Sequence, residues 1–306
     1  MTSSTNLLIA ACLMVAPAVL GLNNRSAVSI NGLDTNPCTV ASPCRSFGVA
    51  LAATAAGGEV IALDSAGYGP FTVAQSVTVS GAPGVHAAIT TSSGDGIFIN
   101  TTGITVLIRN LVLIGAGGSV GIHRTDAQEV RVAGCLIRGF SLYGIQAEIN
   151  AGDLTVEHTA VLDNTGAVGI SIRGGVSAVS HGTITDSSLE GNSLGVNAQA
   201  NSKVIVSNCT ITGNATGAEA DANSLPGQNS EMVLESCTIG HNHAGIAAVS
   251  NGNTATVYMS QNVIAFNTTG VTTFGPPGAS VVYSYGNNRF AGNATDGGPF
   301  PPIPLQ

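Results

Sequence analysis

Charged side chains are scarce in this sequence: Asp, Glu, Lys and Arg together make up 8 % of its 306 residues. Ordinary globular domains carry about 25 %. A surface built from charged helices is therefore excluded, and Asn, Ser, Thr and Gly must supply most of the polar surface. Because these residue types form turns well and helices poorly, the composition predicts a chain rich in strands and turns with little helix.

Basic residues are especially few. Lys203 is the single lysine, the arginines form no cluster, and the formal net charge is −8. Proteins that bind nucleic acids normally carry a basic stripe that neutralises phosphates, so we predict no nucleic-acid partner. The same shortage disfavours a strongly anionic polysaccharide as ligand.

Tryptophan is absent, and the five tyrosines are dispersed along the chain. Flat aromatic rings normally supply stacking platforms with a large contact area. The sequence therefore disfavours a high-affinity cleft for uncharged sugars.

The apolar run at residues 7–20 is too short for a comfortable membrane span. It is typical of the hydrophobic part of a secretory signal, although no Lys or Arg precedes it. We interpret residues 1–26 as a leader, with a buried strand as the alternative, and expect no stable membrane span. A leader predicts a secreted, extracellular or periplasmic protein.

One phrase recurs along the chain, most clearly as CTITGNATGAEA at 209–220, CTIGHNHAGIAA at 237–248 and NVIAFNTTGVTT at 262–273. Its Asn falls at Asn164, Asn192, Asn214, Asn242, Asn267 and Asn293. The gaps between them are 28, 22, 28, 25 and 26 residues. Short alternating apolar runs, broken by Gly or Asn, fill these gaps and indicate strands and turns.

No single repeat can bury its apolar face alone, whereas stacked copies can. The repeats therefore predict an all-β fold, a parallel β-helix or solenoid of roughly ten coils. We expect one domain at 27–297 and a loose Pro-rich tail at 298–306. The repeated Asn suits tight left-handed turns, and its amide can bond to the Asn of the next coil. A structural asparagine ladder is therefore favoured over a ligand site.

One of the six cysteines, Cys12, lies in the predicted leader, and the other five divide into two groups. Cys38 and Cys44 bracket a turn outside the repeats, and in an exported chain their spacing favours a disulfide; two free thiols are the alternative. Cys135, Cys209 and Cys237 begin copies of the repeated phrase. Cys209 and Cys237 are expected to stack in adjacent coils as small buried hydrophobic side chains, with a disulfide between them as the alternative.

The segment SFGVALAATAAGGEVIALDSAGYGPFTV at 46–73 resembles the first part of pectate-lyase-like proteins, a superfamily of right-handed parallel β-helices. The resemblance implies a short N-terminal helix with Phe47, Leu51 and Ala55 on one face that caps the open end of the solenoid. The Gly pair at 57–58 would end this helix. Because the superfamily includes lyases, hydrolases, epimerases and non-enzymatic surface proteins, the resemblance indicates the fold and not the activity.

The catalytic motifs that the resemblance implies are not found. The chain has no adjacent Asp pair of the polygalacturonase-like kind, and its nearest approach to a Gly-His-Gly motif, at 240–243, departs from it. Its acidic residues are spread along the coils rather than clustered as a Ca²⁺ site requires. No cofactor is required on this interpretation, and Ca²⁺ is left open as a ligand.

Polar residues beside the repeated Asn are the best remaining catalytic candidates. Asp163, Glu190 and His241 each precede it by one or two residues in their coils. A row of carboxylates and an imidazole can do acid–base chemistry, so we predict a catalytic role for these three. The alternative is a solvated row of polar side chains on an outward face.

Four further residues are predicted to bind substrate. Glu219 and His243 lie just beyond the repeated Asn, and Arg173 and Asp221 begin two longer loops, at 173–182 and 221–230. These loops emerge at a similar stage of their coils and are predicted to form one wall of a groove. Ordinary variation in loop length is the alternative.

Two functions fit these features. The first is a secreted protein that binds or acts on extracellular polysaccharide, as a polysaccharide lyase or a glycoside hydrolase if it is an enzyme. The second is a non-enzymatic surface or matrix protein, which the missing catalytic motifs favour. A monomer is expected. Ice binding is disfavoured because the Thr-x-Thr motif at 210–212 is not repeated in neighbouring coils.

Overall fold

A computed structural model describes residues 22–148 and 152–303. Within them the chain forms one helix, α1 (Phe47–Ala52), and 30 strands arranged in three sheets. The strand pairs within the sheets are parallel.

The strands of each sheet are given in their spatial order, which in sheets I and II is also chain order. Sheet I contains β1 (Asn23–Val28), β2 (Thr54–Ala62), β5 (Val77–Gly81), β8 (Thr105–Arg109), β11 (Glu129–Ala133), β14 (Gly152–Glu157), β17 (Ser180–Thr185), β20 (Ser202–Ser207), β23 (Ser230–Glu235), β26 (Ala255–Ser260) and β29 (Ser280–Ser284). Sheet II contains β3 (Ala66–Tyr68), β6 (Ala87–Thr91), β9 (Leu111–Gly115), β12 (Leu136–Arg138), β15 (Ala160–Leu162), β18 (Ser188–Glu190), β21 (Thr210–Thr212), β24 (Thr238–Gly240), β27 (Val263–Ala265) and β30 (Arg289–Ala291). Sheet III, from its last strand in the chain to its first, contains β28 (Thr269–Phe274), β25 (Ala244–Val249), β22 (Thr216–Asp221), β19 (Leu194–Ala198), β16 (Val168–Ile172), β13 (Tyr143–Ala147), β10 (Val120–Asp126), β7 (Asp95–Asn100) and β4 (Phe71–Val73).

From β2 onward the chain visits sheets I, II and III in turn, and it completes this circuit about nine times. Each strand pairs with the strand one circuit earlier and one circuit later. The architecture is the predicted right-handed parallel β-helix, with one coil fewer than the ten expected.

The core runs along the inside of the coils. Residues alternate between the inner and outer faces of each strand, as on β20, where Val204 and Val206 are buried and Ile205 between them is exposed. Stacked Val, Ile and Leu side chains from all three sheets form one continuous hydrophobic cluster. This explains the alternating apolar runs of the repeats.

Single left-handed residues turn the chain between sheets. Asp163, His241 and Phe266 hold φ between 52° and 56° at the turn from sheet II to sheet III, where other coils have Gly. His158 and Asp186 hold φ of 48° and 49° at the turn from sheet I to sheet II. Non-Gly residues rarely adopt this conformation, and its repetition at one stage of the coil produces the sharp corners of the solenoid.

Five of the six repeated Asn side chains lie buried behind the turn between sheets II and III, and the sixth, Asn293, is half-buried. The Nδ2 atom of Asn164 donates to Oδ1 of Asn192 at 2.9 Å, and that of Asn214 donates to Oδ1 of Asn242 at 3.1 Å. The same side chains also bond to backbone groups, as Asn214 does with the Leu189 carbonyl at 3.0 Å. The row joins neighbouring coils through the interior.

The helix α1 is shorter than predicted. Ser46 caps its first turn by accepting a bond from the Val49 amide, and the helix ends at Ala52. Ala55 and the Gly pair at 57–58 therefore lie in β2, and Gly57 is left-handed with φ of 80°. Phe47 packs as expected, against Phe71 at 4.8 Å between ring centroids, and the role of α1 as an end cap stays a prediction.

The two ends of the predicted domain differ from expectation. The boundary at residue 26 falls inside β1, which begins at Asn23; residues 1–21 lie outside the described part of the chain. At the other end, Phe300 stacks on Phe290 and the Ile303 amide bonds to the Ser284 carbonyl. The described part of the tail, 298–303, therefore packs against the last coil instead of hanging loose.

The disulfide prediction is confirmed: Cys38 and Cys44 are bonded. Cys135, Cys209 and Cys237 are buried free thiols in the solenoid interior. Burial raises the pKa of the Cys135 thiol to about 11, which disfavours its reactive thiolate form at neutral pH. No helix among the described residues is long and apolar enough to cross a membrane.

Candidate functional site

The three residues predicted to be catalytic lie on the sheet II side of the solenoid. Asp163 and His241 occupy left-handed turn positions, and Glu190 points outward from β18. Asp163 is 60 % exposed, with one Arg138 nitrogen 3.6 Å from its carboxylate. The His241 ring stacks on Phe266 with 5.3 Å between ring centroids.

These three residues do not meet. Asp163 and His241 are three coils apart, which is about 14 Å at the usual spacing of neighbouring strands. Glu190 lies one coil from the first and two from the second. The structure therefore does not bring the three predicted catalytic residues into one cluster.

The four residues predicted to bind substrate separate. His243 is exposed at the turn between sheets II and III, close in the chain to His241. Arg173, Glu219 and Asp221 instead lie on the outer face of sheet III, near the ends of its strands. They belong to a longer row of polar side chains.

This row crosses six neighbouring strands of sheet III, β7, β10, β13, β16, β19 and β22. We call it the polar belt, and it consists of Asp95, His123, Glu148, Arg173, Asn197, Glu219 and Asp221. The members within β10, β19 and β22 alternate with buried residues, as Asn197 does with Val196 and Ala198, so they face outward. Five strand spacings give the belt a length of about 24 Å.

The first half of the polar belt is a continuous hydrogen-bonded chain. His123 lies between two carboxylates, with Nδ1 2.7 Å from Asp95 and Nε2 3.2 Å from Glu148. The second Glu148 oxygen accepts a bond from Arg173 at 2.7 Å. The four side chains are between 16 % and 31 % exposed. They are thus held in place yet open to a ligand.

The second half of the polar belt, formed by Asn197, Glu219 and Asp221, contains hydrogen-bond acceptors and no positively charged side chain. Asn197 is the register partner of Glu219, and its Nδ2 donates to a Glu219 oxygen at 3.4 Å. Burial, together with the nearby Asp221 carboxylate, raises the pKa of Glu219 to about 7. Asn197 is 3 % exposed, and its Oδ1 has no hydrogen-bond partner. This end of the belt holds one carboxyl that exchanges a proton near neutral pH.

Two loops flank this end, at residues 173–179 and 222–229. Gln228 Nε2 donates to the Val176 carbonyl at 3.0 Å, so the loops touch across two coils. A cavity of about 390 Å³ between them is lined by Arg173, the segment 174–178 and Leu225. The loops that the sequence singled out therefore adjoin the polar belt.

A second cavity, of about 280 Å³, lies at the C-terminal end between β28, β29 and residues 298–301. It is lined by small, apolar and hydroxyl side chains, including Val271, Thr272 and Phe300. With no titratable group in its lining, it offers no acid–base chemistry, and we place the candidate site at the polar belt.

The belt does not resemble a metal centre. Within 22–148 and 152–303, no three His, Cys, Asp or Glu side chains are grouped so that they could hold a metal ion. Glu219 and Asp221 together supply fewer oxygens than the six to eight that Ca²⁺ takes.

The sequence analysis did not select Asp95, His123, Glu148 or Asn197 as site residues. One usable signal existed, since Asn197 and Glu219 each follow their repeated Asn by five residues. In the first half of the belt, Asp95, His123 and Glu148 precede Asn164, the first repeated Asn, and Arg173 does not follow that Asn by five residues. Counting five residues from the repeated Asn therefore could not find them.

Comparison with known proteins supports the fold. Residues 164–295 match the family model described as right handed beta helix region, and no curated protein matches the chain in sequence. The crystal structure of pectate lyase Pel9A superposes with a TM-score of 0.63 and 15 % identity, over 92 % of this chain and 80 % of the other.

Two further structures share the fold. An alginate lyase from Paenibacillus sp. str. FPU-7 gives a TM-score of 0.57 and 13 % identity, over 90 % of this chain and all of the other. The A-module of the Azotobacter vinelandii mannuronan C-5 epimerase AlgE4 gives 0.50 and 16 %, over 80 % and 91 %. At such identities the likeness is one of fold alone.

Proposed function

We propose that this right-handed parallel β-helix protein, whose fold is that of the pectate-lyase-like proteins, binds a polysaccharide chain lengthwise along the polar belt. The observation that supports this most is the continuity of the belt. Side chains on, or one residue beyond, six neighbouring strands form hydrogen bonds along the outer face of sheet III. The strand register puts His123, Asn197 and Glu219 at one level. The members Glu148, Arg173 and Asp221 lie two residues further along. A regular polymer can use such a row repeatedly, whereas a small molecule would use only part of it.

The names of the structural neighbours support the same class of ligand. Two are lyases named for pectate and alginate, and one is an epimerase named for mannuronan. The likeness in fold makes a polysaccharide the first ligand to test. It does not identify the sugar.

A reaction on the bound polysaccharide is the second candidate function, and Glu219 favours it. A catalytic acid or base works best when its pKa is close to the working pH, and the pKa of Glu219 is about 7. Cleavage by hydrolysis or elimination would make the protein a glycoside hydrolase or a polysaccharide lyase. If the protein is instead a non-enzymatic surface protein, the belt binds the polysaccharide without a reaction.

Asp163, Glu190 and His241 remain the prediction for a site at the sheet II side. Their separation means that they would each act on a different unit of a long ligand. His243 belongs to that side, while Arg173, Glu219 and Asp221 are assigned to the belt.

Secretion is part of the proposal. A disulfide persists in oxidising compartments, and Cys38–Cys44 fits an extracellular or periplasmic protein. Ca²⁺ enters the proposal only as a test condition, because the belt alone does not complete a calcium site.

The proposal is tested with a panel of purified polysaccharides, with and without Ca²⁺. Binding is followed by isothermal calorimetry, and cleavage by new reducing ends and by the ultraviolet absorbance of unsaturated products. Reducing ends with absorbance indicate a lyase, and reducing ends alone indicate a hydrolase. Binding without cleavage products supports the binding function alone. If none of the polymers binds, the proposal is overturned.

A further inference from the structure

We propose that the end of the polar belt formed by Asn197, Glu219 and Asp221 binds a protonated amino group, so that the ligand is a polysaccharide containing amino sugars. This inference rests on the proposed polysaccharide-binding function and specifies the substrate class of the same site. It is drawn from the charges and hydrogen-bonding groups that the belt presents.

The three residues offer a ligand mainly acceptors. Glu219 and Asp221 contribute carboxylates, and one of the two N–H donors of Asn197 Nδ2 is used toward Glu219. One Asp221 oxygen accepts the Asn223 amide at 2.8 Å, which leaves its second oxygen for a ligand. An ammonium group carries three donors and no acceptor, and it complements this set.

Asn197 provides an independent indication of a missing donor. Its side chain is almost completely buried on the outer face, directly beside Glu219, and Oδ1 has no partner. Leaving a buried acceptor without a hydrogen bond is energetically unfavourable. A cation next to Glu219 compensates the partial negative charge of this oxygen as well as the carboxylate.

The charge along the belt favours a cation over an anion. Four carboxyl groups stand against one arginine, and that arginine is paired with Glu148 at 2.7 Å. No basic group contributes to the pKa of Glu219, which burial and the Asp221 charge both raise. A uronate would bring a further negative charge to this place, whereas an amino sugar brings the missing positive one.

The test compares oligosaccharides of equal length made from glucosamine, N-acetylglucosamine or galacturonate, using the intact protein and calorimetry. Glucosamine oligosaccharides should bind about tenfold more tightly than their acetylated counterparts, since a hydrogen bond to a charged group contributes about 1.5–3 kcal/mol. The preference should weaken in Glu219→Gln and Asp221→Asn. It should persist in Glu235→Gln, an exposed Glu on the outer face of sheet I.

Each outcome has a distinct meaning. Equal or tighter binding of the acetylated or uronate oligosaccharides overturns the amino-sugar inference and leaves the proposed function standing. A glucosamine preference that survives both belt substitutions also overturns it, because the cation is then recognised elsewhere. Binding of none of these oligosaccharides, nor of any polymer in the panel, overturns the proposed function itself.

Discussion

Replacing Asn214 with Ala should destabilise the protein more than almost any other change of a polar residue. Its Oδ1 accepts bonds from the backbone and side-chain nitrogens of Asn192 at 2.9 and 3.2 Å. Its Nδ2 donates to the carbonyls of Leu189 and Thr212, both at 3.0 Å. The substitution leaves these groups without their partner in a place that water does not reach.

The expected loss of stability follows from the number of hydrogen bonds that the substitution removes. A buried polar group left without a partner costs about 1–3 kcal/mol. Several such groups are affected, and local relaxation recovers part of the loss, so we expect a decrease of about 3–5 kcal/mol in the free energy of unfolding. Truncation also removes packing between two coils, which acts in the same direction.

The assay is urea denaturation followed by circular dichroism, with Asn223→Ala as the matched control. Asn223 is exposed in the loop at 222–229, and a surface change of this kind usually stays within about 0.5 kcal/mol. A loss below about 1 kcal/mol for Asn214→Ala, equal to that of the control, would refute the argument that the buried asparagine row holds the coils together.

Three further predictions follow from the core, the belt and the disulfide. Val206→Asp places an unpaired charge in the solenoid interior, where Val206 is 0 % exposed. This substitution should lower the free energy of unfolding by several kcal/mol or prevent folding. A normal melting temperature of the variant would contradict the inward orientation of Val206. Because the pKa of Glu219 is raised from 4.5 to about 7, its contribution to stability is complete below about pH 4.5 and is lost as the pH rises through 7. Wild type should therefore lose roughly 3 kcal/mol relative to Glu219→Gln between pH 4.5 and 8, and parallel stability curves of the two proteins would exclude this. Replacing Cys38 and Cys44 with Ser should lower the free energy of unfolding by about 2 kcal/mol, since the bridge closes a short loop; an unchanged denaturation midpoint speaks against it.

The fold could be predicted because the repeat forces it. Val204 and Val206 alternate with exposed neighbours, and the six repeated Asn residues mark the same corner of successive coils. No other arrangement of the chain buries the alternating valines and the repeated Asn side chains. The end of α1 was less predictable, because the Gly pair at 57–58 is as suitable for an irregular strand as for a helix stop.

The candidate site was predictable only in part. A search for polar residues close in sequence to the repeated Asn selects residues at the turn between sheets II and III, such as Asp163 and His241. These residues belong to different coils, and the distance between the coils keeps them apart. The belt instead lies on and just beyond the strands of sheet III, and only Asn197 and Glu219 among its members share an offset from the repeated Asn. Glu148 and His123 meet through strand register, which a count along the chain does not reveal in these coils.

The most direct test of the belt as the binding site is a paired substitution, made with whichever polysaccharide the wild type binds. Glu219→Gln changes the belt, Glu190→Gln changes the sheet II side, and both keep the shape of the side chain. We predict at least about tenfold weaker binding for Glu219→Gln and wild-type affinity for Glu190→Gln. The reverse result, with Glu190→Gln impaired and Glu219→Gln unchanged, would place the ligand on the sheet II side and contradict the account.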